Sequence, residues 1–264
     1  MDGDKRRALT WALLGWCASC TGTALKAQPA PVRVAAASYL KFALDEILQD
    51  FRKQSGLAVQ VSYGSSGNFA RQIQQGLPVD LFLSADESWI DMLATAGRTR
   101  KQAAGHDRGA VFGRGRLVLY VAPGVALALD ARLEGLKRDW RLVHKFAIAN
   151  PAHAPYGHAA REALQTLGLW PLVAPKLVVA ENVAQAGQFV AAGAAQAGLT
   201  ALALVRAPVL AGQGRYIEVD ENLYAPMRQR MVLTRDSSPH AVKLYDYLQG
   251  PQAQQILKKY GAGH

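Results

Sequence analysis

Short apolar runs alternate with amphipathic segments along the first half of the chain. Two runs, Val32–Ala36 and Val59–Tyr63, have the length of buried strands, and Phe42–Gln54 between them carries apolar residues at helical spacing. A shorter helix is predicted at Phe69–Gln75, followed by a third strand at Val79–Ser84. This order predicts a mostly parallel sheet that is covered by helices.

The same alternation starts again in the second half of the chain. The apolar run Arg116–Pro123 predicts a strand that carries the chain out of a first lobe. The strands, helices and apolar runs predicted after it are Lys145–Ala149, Gly157–Leu167, Lys176–Ala180, Val183–Ala192, Ala197–Ala203, Met231–Thr234, Ala241–Leu248 and Pro251–Tyr260. We therefore expect an α/β protein in which each lobe is a mostly parallel sheet flanked by helices.

The chain opens with a basic and then apolar segment. Three cations at 5–7 precede the uncharged run Ala8–Leu25, and Lys26 and Ala27 follow it. This order is typical of a secretory signal, so we predict a signal peptide at 1–27 that is cleaved after Ala27. A retained membrane anchor, a twin-arginine signal and lipid attachment at Cys20 are the alternatives. Both cysteines, Cys17 and Cys20, lie in this segment, so the exported chain would contain no disulfide and no cysteine-ligated metal.

Charge narrows the class of partner. The 264 residues include 30 Lys and Arg against 20 Asp and Glu, a formal net charge of +10. Such a balance is compatible with nucleic acid, an acidic membrane or a small anion. The cations are dispersed and no basic run is interleaved with aromatic residues, which counts against nucleic acid. Attraction of a small anion fits better.

Small residues mark a candidate anion site at the first two strand ends. The run Gly64–Asn68 contains two serines and lies between a predicted strand and a predicted helix. The first turn of a helix has N–H groups without intrahelical partners, and the helix dipole adds partial positive charge there. Ser38 follows the first strand and Ser66 the second, so both would lie at one crevice. Taken alone, each segment is also compatible with an ordinary turn or N-cap.

Two junctions between a strand and a helix in the second lobe, which we call corners, also have the features of an anion site. The segment Asn150–Gly157 joins a predicted strand to a predicted helix, which places the N–H groups of Tyr156 and Gly157 near the crevice. Glu181–Val183 forms a similar junction, where the Val183 N–H would be a first-turn donor. Four such corners, two in each lobe, predict a convergent anion site.

Several segments together carry a family resemblance. They are Ala35–Ser38, Gly64–Gly67 with Ala70–Ile73, Asp80–Asp86, Ala149–Pro151, Ala154–Gly157, Glu181–Val183 and Leu248–Ala253. In number, order and spacing these segments resemble the periplasmic molybdate-binding proteins of ABC-type uptake systems, within the type II periplasmic solute-binding family. The resemblance covers nearly the whole exported chain. It implies two lobes joined by two crossing segments, the first formed by 28–115 with 230–264 and the second by 116–229.

The resemblance also implies a ligand and its contacts. The ligand would be molybdate, and tungstate as well, bound as an unhydrated tetrahedral dianion in the cleft between the lobes. By position, the contacts carry over to the hydroxyls and amides of Ser38 and Ser66 and to the amides of Tyr156 and Val183. Some members of the family add a tyrosine hydroxyl, but the matching position here is Ala201. That contact is therefore absent, or replaced by Ala37 or Tyr156.

The resemblance implies a receptor with no cofactor, no catalytic residues and no free metal cation. We expect a periplasmic monomer that delivers its anion to the membrane permease of an ABC transporter and does not bind nucleic acid. Asp80, Asp86 and Glu181 are interpreted as structural carboxylates. The alternatives are a binding protein for another tetrahedral oxyanion such as sulfate, and a serine-dependent hydrolase that uses Ser65 or Ser66 with a histidine.

Overall fold

A computed structural model describes residues 30–101 and 107–263. Within these ranges the backbone forms two five-stranded sheets. The strands of the first sheet are β1 (Val32–Ala37), β2 (Val59–Gly64), β3 (Leu81–Ser84), β4 (Ala110–Arg114) and β10 (Arg228–Leu233), in the spatial order β2-β1-β3-β10-β4. The strands of the second are β5 (Leu117–Val121), β6 (Phe146–Ala149), β7 (Leu177–Ala180), β8 (Ala197–Ala201) and β9 (Arg215–Glu218), in the order β7-β6-β8-β5-β9.

Helices connect the strands and cover both sheets. They are α1 (Lys41–Ser55), α2 (Ser66–Gln74), α3 (Glu87–Thr95), α4 (Glu134–Arg138), α5 (Pro155–Thr166), α6 (Trp170–Val173), α7 (Val183–Ala191), α8 (Leu202–Val205), α9 (Pro239–Gln249) and α10 (Pro251–Tyr260). We call the part built on the first sheet the first lobe and the part built on the second sheet the second lobe. No helix in the described ranges is long and apolar enough to cross a membrane. The signal peptide predicted at 1–27 lies outside them.

The α/β prediction is confirmed, and each sheet is mixed. Strand β1 pairs in parallel with β2 and β3, while β10 runs antiparallel to β3 and β4. In the second sheet β6 is parallel to β7 and β8, and β5 is antiparallel to β8 and β9. The antiparallel strands β5 and β10 are those that follow a passage from one lobe to the other. Four strands of each sheet therefore run in one direction, and β10 or β5 runs against them.

Buried central strands hold each lobe together. All residues of β3, β5, β6 and β8 are buried. Continuous apolar runs of this kind are expected where helices cover both faces of a sheet. The chain passes between the lobes through Gly115 and Arg116, and it returns between Glu218 and Arg228. The two passages touch, because the Gly115 N–H donates to the Met227 carbonyl at 2.8 Å.

Some elements differ from the sequence prediction. Helix α2 begins at Ser66, three residues before the predicted start, so the serine run itself forms the first turn. Strands β4 and β9 and helix α3 are additional elements. Strand β4 contains Gly113, where a Cβ would lie 2.0 Å from the Ala262 carbonyl oxygen. A glycine demanded by this close backbone approach weakens the strand pattern in the sequence.

Candidate functional site

A small pocket lies between the two lobes. Its lining residues are Ala37, Ser38, Tyr39, Gly64, Ser65, Ser66, Ala85, Ala154, Pro155, Tyr156, Asn182 and Val183. The structure therefore brings together all five residues singled out from the sequence, which are Ala37, Ser38, Ser66, Tyr156 and Val183. None of the lining side chains carries a formal charge.

Helix starts from both lobes meet at this pocket. Ser38 opens a short 3-10 helix (Ser38–Leu40) that leads into α1, and Ser66 is the first residue of α2. Tyr156 is the second residue of α5, and Val183 is the first of α7. Each start follows a parallel strand, and the carboxyl ends of parallel strands meet at one sheet edge. The combined helix ends give the pocket a positive potential without a cationic side chain.

The Ser66 hydroxyl is held as a hydrogen-bond donor toward the pocket. Ser66 is buried, and its Oγ accepts the Ala85 N–H at 3.0 Å. Ala85 directly follows β3, so a neighbouring strand fixes the position of this oxygen. Because the main-chain N–H already occupies a lone pair, the hydroxyl proton is directed elsewhere. It is therefore available to an acceptor in the pocket.

The Ser38 hydroxyl makes an equivalent contact across the cleft. Its Oγ accepts the N–H of Ala184 in the second lobe at 3.3 Å. This bond joins the end of β1 to the first turn of α7. Like Ser66, Ser38 is buried and keeps its proton for a second partner. Closure of the lobes thus orients one of the predicted ligand hydroxyls.

The first turn of α7 has its other donors engaged. The Ala184 N–H bonds to Ser38, and the Gln185 N–H bonds to the Asn182 side chain at 3.1 Å in a standard N-cap. The Ala186 N–H bonds to the Asn182 carbonyl. The Val183 N–H remains as the first-turn donor for the pocket.

Helix α5 leaves a single donor in the same way. Pro155 at its first position has no N–H, and the N–H groups of Gly157 and His158 both donate to the Ala154 carbonyl. The Tyr156 N–H remains for the pocket. The Tyr156 side chain is buried and packs against Tyr39 at 5.4 Å between ring centroids. Burial raises the pKa of the Tyr156 hydroxyl, which keeps this phenol neutral.

A seam of polar contacts between the lobes borders the pocket. The His153 carbonyl accepts the Gly67 N–H at 3.0 Å and the Ser65 hydroxyl at 2.6 Å. The His153 Nδ1 also lies 2.8 Å from Ser65 Oγ, and Asn68 Nδ2 donates to Glu181 Oε1. Sequence reasoning considered a serine paired with a histidine only for the hydrolase alternative, and it did not predict these contacts between the lobes. They join residues far apart in the chain, and no local pattern could signal them.

The three carboxylates interpreted as structural lie outside the pocket lining. Asp80 accepts the main-chain N–H groups of Arg33 and Ser238; burial acts to raise its pKa, but these bonds lower it overall. Asp86 caps α3 by accepting the Ser88 N–H, and Glu181 belongs to the seam. Among the described residues no group of three His, Cys, Asp or Glu side chains is arranged to hold a metal ion. Ala201 is not among the lining residues either.

Comparison with known proteins identifies the family of this chain. Residues 32–262 match the family of bacterial extracellular solute-binding proteins. The chain belongs to this family. It is 38% identical over 243 residues to the molybdate-binding protein ModA of Azotobacter vinelandii, covering 91% of this chain and 92% of the relative. It is 33% identical over 246 residues to ModA of Escherichia coli strain K12, with 91% of each chain covered.

A solved structure shows the same architecture. The periplasmic molybdate-binding protein of Azotobacter vinelandii superposes with a TM-score of 0.80 at 31% sequence identity, covering 88% of this chain and 99% of that chain. The pocket of this solute-binding protein is lined by hydrogen-bond donors that carry no formal charge. Hydrogen bonds to a charged acceptor each contribute roughly 1.5 to 3 kcal/mol net, so several of them can hold a buried dianion without a paired cation.

Proposed function

We propose that this protein captures molybdate, and tungstate as well, and delivers it to the membrane permease of an ABC transporter. The observation that carries the proposal is the convergence of donors from both lobes on a pocket whose lining contains no charged side chain. The donors are the hydroxyls of Ser38 and Ser66 and the N–H groups of Tyr156 and Val183. The two ModA relatives, which are molybdate-binding proteins, support the choice of anion.

The donor set discriminates by protonation state. Molybdate and tungstate at neutral pH are dianions without a proton, so every oxygen accepts hydrogen bonds. A phosphate that retains a proton needs an acceptor such as a carboxylate, and the pocket lining contains none. Its proton would remain unpaired in a buried site, which costs affinity. The pocket is therefore suited to a fully deprotonated tetrahedral oxyanion.

The cellular setting follows from the same proposal. Cleavage of the predicted signal after Ala27 would release a monomer into the periplasm, with no cofactor and no catalytic role. The lobe bounds predicted from the sequence, 28–115 with 230–264 and 116–229, need one adjustment, because β10 (Arg228–Leu233) places Arg228 and Gln229 in the first sheet as well. The outer faces of the lobes would meet the permease. The positive net charge of the chain would favour the approach of an anion.

A binding protein for sulfate is the first alternative. Sulfate has the same charge and shape as molybdate, and the same neutral donors would satisfy it. Only the fit of the anion radius to the closed pocket separates the two. Calorimetric titration of residues 28–264 with molybdate, tungstate, sulfate and phosphate in one buffer decides between them. We expect one-to-one binding of molybdate or tungstate, with sulfate at least about 100-fold weaker, or about 2.7 kcal/mol. Tighter binding of sulfate, or no heat with any of the four anions, would overturn the proposal.

A serine hydrolase is the second candidate, because His153 Nδ1 lies 2.8 Å from Ser65 Oγ. We interpret this contact as part of the seam. The Ser65 hydroxyl donates to the His153 carbonyl, and His153 Nε2 is 3.8 Å from the exposed Glu181, beyond hydrogen-bond distance. In an activated serine the hydroxyl donates its hydrogen bond to the imidazole, and an acid hydrogen-bonds to the other ring nitrogen and orients the ring. Turnover of activated esters by the wild-type protein, lost in Ser65→Ala, would restore the hydrolase; we expect no turnover.

A further inference from the structure

A buried amide lies where the two passages between the lobes meet. Gln229 is fully buried in β10, beside the register shift that interrupts its pairing with β4. Burying an amide without partners is costly, so a wholly buried glutamine indicates a specific network. Gln229 is not among the residues that line the anion pocket. Any effect of Gln229 on this pocket must therefore pass through the residues that it contacts.

The amide group contacts four separate parts of the chain. In the orientation that satisfies its neighbours, Oε1 lies 3.1 Å from the Gly115 nitrogen and shares its N–H with the Met227 carbonyl. In the same orientation Nε2 donates to the Ala262 carbonyl and to the Tyr39 hydroxyl, each at 2.9 Å. The Tyr156 hydroxyl lies 3.4 Å from the same amide. Gly115 belongs to the other passage, and a Cβ there would lie 3.1 Å from the Tyr156 hydroxyl. One side chain thus joins both passages to two tyrosines.

These two tyrosines belong to pocket corners in opposite lobes. Tyr39 directly follows Ser38 and lines the pocket from the first lobe, while Tyr156 provides an N–H donor from the second. Their rings pack at 5.4 Å, and burial raises the pKa of both hydroxyls, which keeps them neutral. Gln229 contacts the hydroxyls of both tyrosines and therefore links the two corners from outside the pocket lining.

We propose that Gln229 is a positioning residue for the anion site. It fixes the positions of the Tyr39 and Tyr156 hydroxyls relative to the two passages. In this way it sets the spacing between the Ser38 and Tyr156 donors in the closed protein. Since the fit of the anion radius depends on this spacing, Gln229 determines selectivity as well as affinity. This inference rests on the proposed function and names a residue that controls it without touching the ligand.

The binding test uses Gln229→Met, which keeps the side-chain volume and removes the amide, and Tyr39→Phe, which removes one partner hydroxyl. Molybdate and sulfate are titrated calorimetrically into residues 28–264. We expect Gln229→Met to weaken the binding of molybdate about tenfold and the binding of sulfate less, so that the preference for molybdate over sulfate becomes smaller. The double variant should be no worse than Gln229→Met alone, because both changes break the same network. Additive losses with an unchanged preference would overturn the proposal.

A matched control separates positioning from general stability. Thr234→Val removes a buried hydroxyl that donates to the Val79 carbonyl, just beyond β10 and away from the passages. We expect this variant to lower Tm while leaving the molybdate affinity and the preference over sulfate unchanged. An equal loss of affinity in Thr234→Val would show that Gln229 matters only for stability. Tyr39→Phe keeps the question testable if Gln229→Met folds poorly.

A second readout needs no ligand. The exported chain would lack cysteine, so labels at Gln74→Cys in α2 and Gln165→Cys in α5, both exposed, report the distance between the lobes. We expect Gln229→Met and Tyr39→Phe to broaden this distance distribution in the ligand-free protein. Unchanged distributions would overturn the positioning role. Failure of the wild-type protein to bind any of the four anions would instead reject the proposed function, and the distances would still decide the role of Gln229.

Discussion

Ser38, Ser66, Tyr156 and Val183 all line the pocket. In the proposed site, the first lobe contributes the hydroxyls of Ser38 and Ser66, whereas the second lobe contributes the main-chain N–H groups of Tyr156 and Val183. Each serine hydroxyl already accepts a main-chain N–H, which directs its proton away from that partner. The side chains of Tyr156 and Val183 instead pack in the protein interior. We therefore expect the two halves of the proposed anion site to respond differently to mutation. Side-chain truncation removes donors from the first lobe, while only backbone changes remove them from the second.

The largest expected effect comes from separating the two halves with Gly67→Ala. A Cβ at Gly67 would lie 2.6 Å from the His153 carbonyl oxygen across the seam and 2.7 Å from the Trp89 ring. Overpacking of this kind costs about 1 to 3 kcal/mol, and much of the cost falls on the closed form. We expect molybdate affinity to fall between about 10- and 100-fold by calorimetry. The control is Gly250→Ala, at the N-cap of α10, which should bind normally. Wild-type affinity in Gly67→Ala would show that the bound form does not need the close approach of Gly67 to His153.

The second-lobe half is tested by Val183→Pro. Proline is well suited to the first position of a helix, and Asn182 before it already has the extended backbone that proline requires. The change therefore removes the N–H donor and spares α7. We expect a loss of affinity between about 10- and 100-fold, with Tm lowered no more than in Val183→Ala, which changes the same buried side chain. Unchanged binding would exclude the Val183 N–H as a ligand donor.

The first-lobe half is tested by Ser66→Ala. The variant loses the hydroxyl donor but retains the Ser66 N–H, so we expect a loss of about tenfold, at the lower end of the range for a hydrogen bond to a charged acceptor. The neighbouring exposed Ser62→Ala is the matched control and should have no effect. Equal affinity of the two variants would argue that the Ser66 hydroxyl serves only the Ala85 N–H.

A smaller effect is expected from His153→Ala in the seam. The His153 carbonyl, which accepts from Gly67 and Ser65, remains, and only the imidazole contact with Ser65 Oγ is lost. We expect affinity to fall about threefold, with faster release of molybdate in stopped-flow experiments. His158→Ala, which removes an exposed histidine from α5, provides the control. Identical release rates in the two variants would show that the contact between the His153 imidazole and Ser65 does not stabilise the closed form.

The same comparison explains what the sequence could and could not predict. The alternation of strands and helices predicted the α/β fold, and the strand-to-helix corners predicted where Ser38, Ser66 and Val183 would meet, because corners after parallel strands share one edge. Small polar residues are visible as local patterns. The seam between Gly67 and His153 has no such pattern, because it depends on how two separate lobes approach each other. Gln229 is not marked by a local pattern either, since the partners of its amide are distant in the sequence.

The smallest effect is expected from Val183→Ala, which keeps the N–H donor that Val183→Pro removes. The valine side chain is buried, so its truncation costs stability of about 1 to 2 kcal/mol through lost apolar contact. We expect a lower Tm together with molybdate affinity within about twofold of the wild type, because the backbone of the α7 start is unchanged. A large loss of affinity would mean that the side chain shapes the pocket. The second-lobe half would then depend on residue identity as much as the first-lobe half does, and the contrast between hydroxyl and main-chain donors would no longer describe the site.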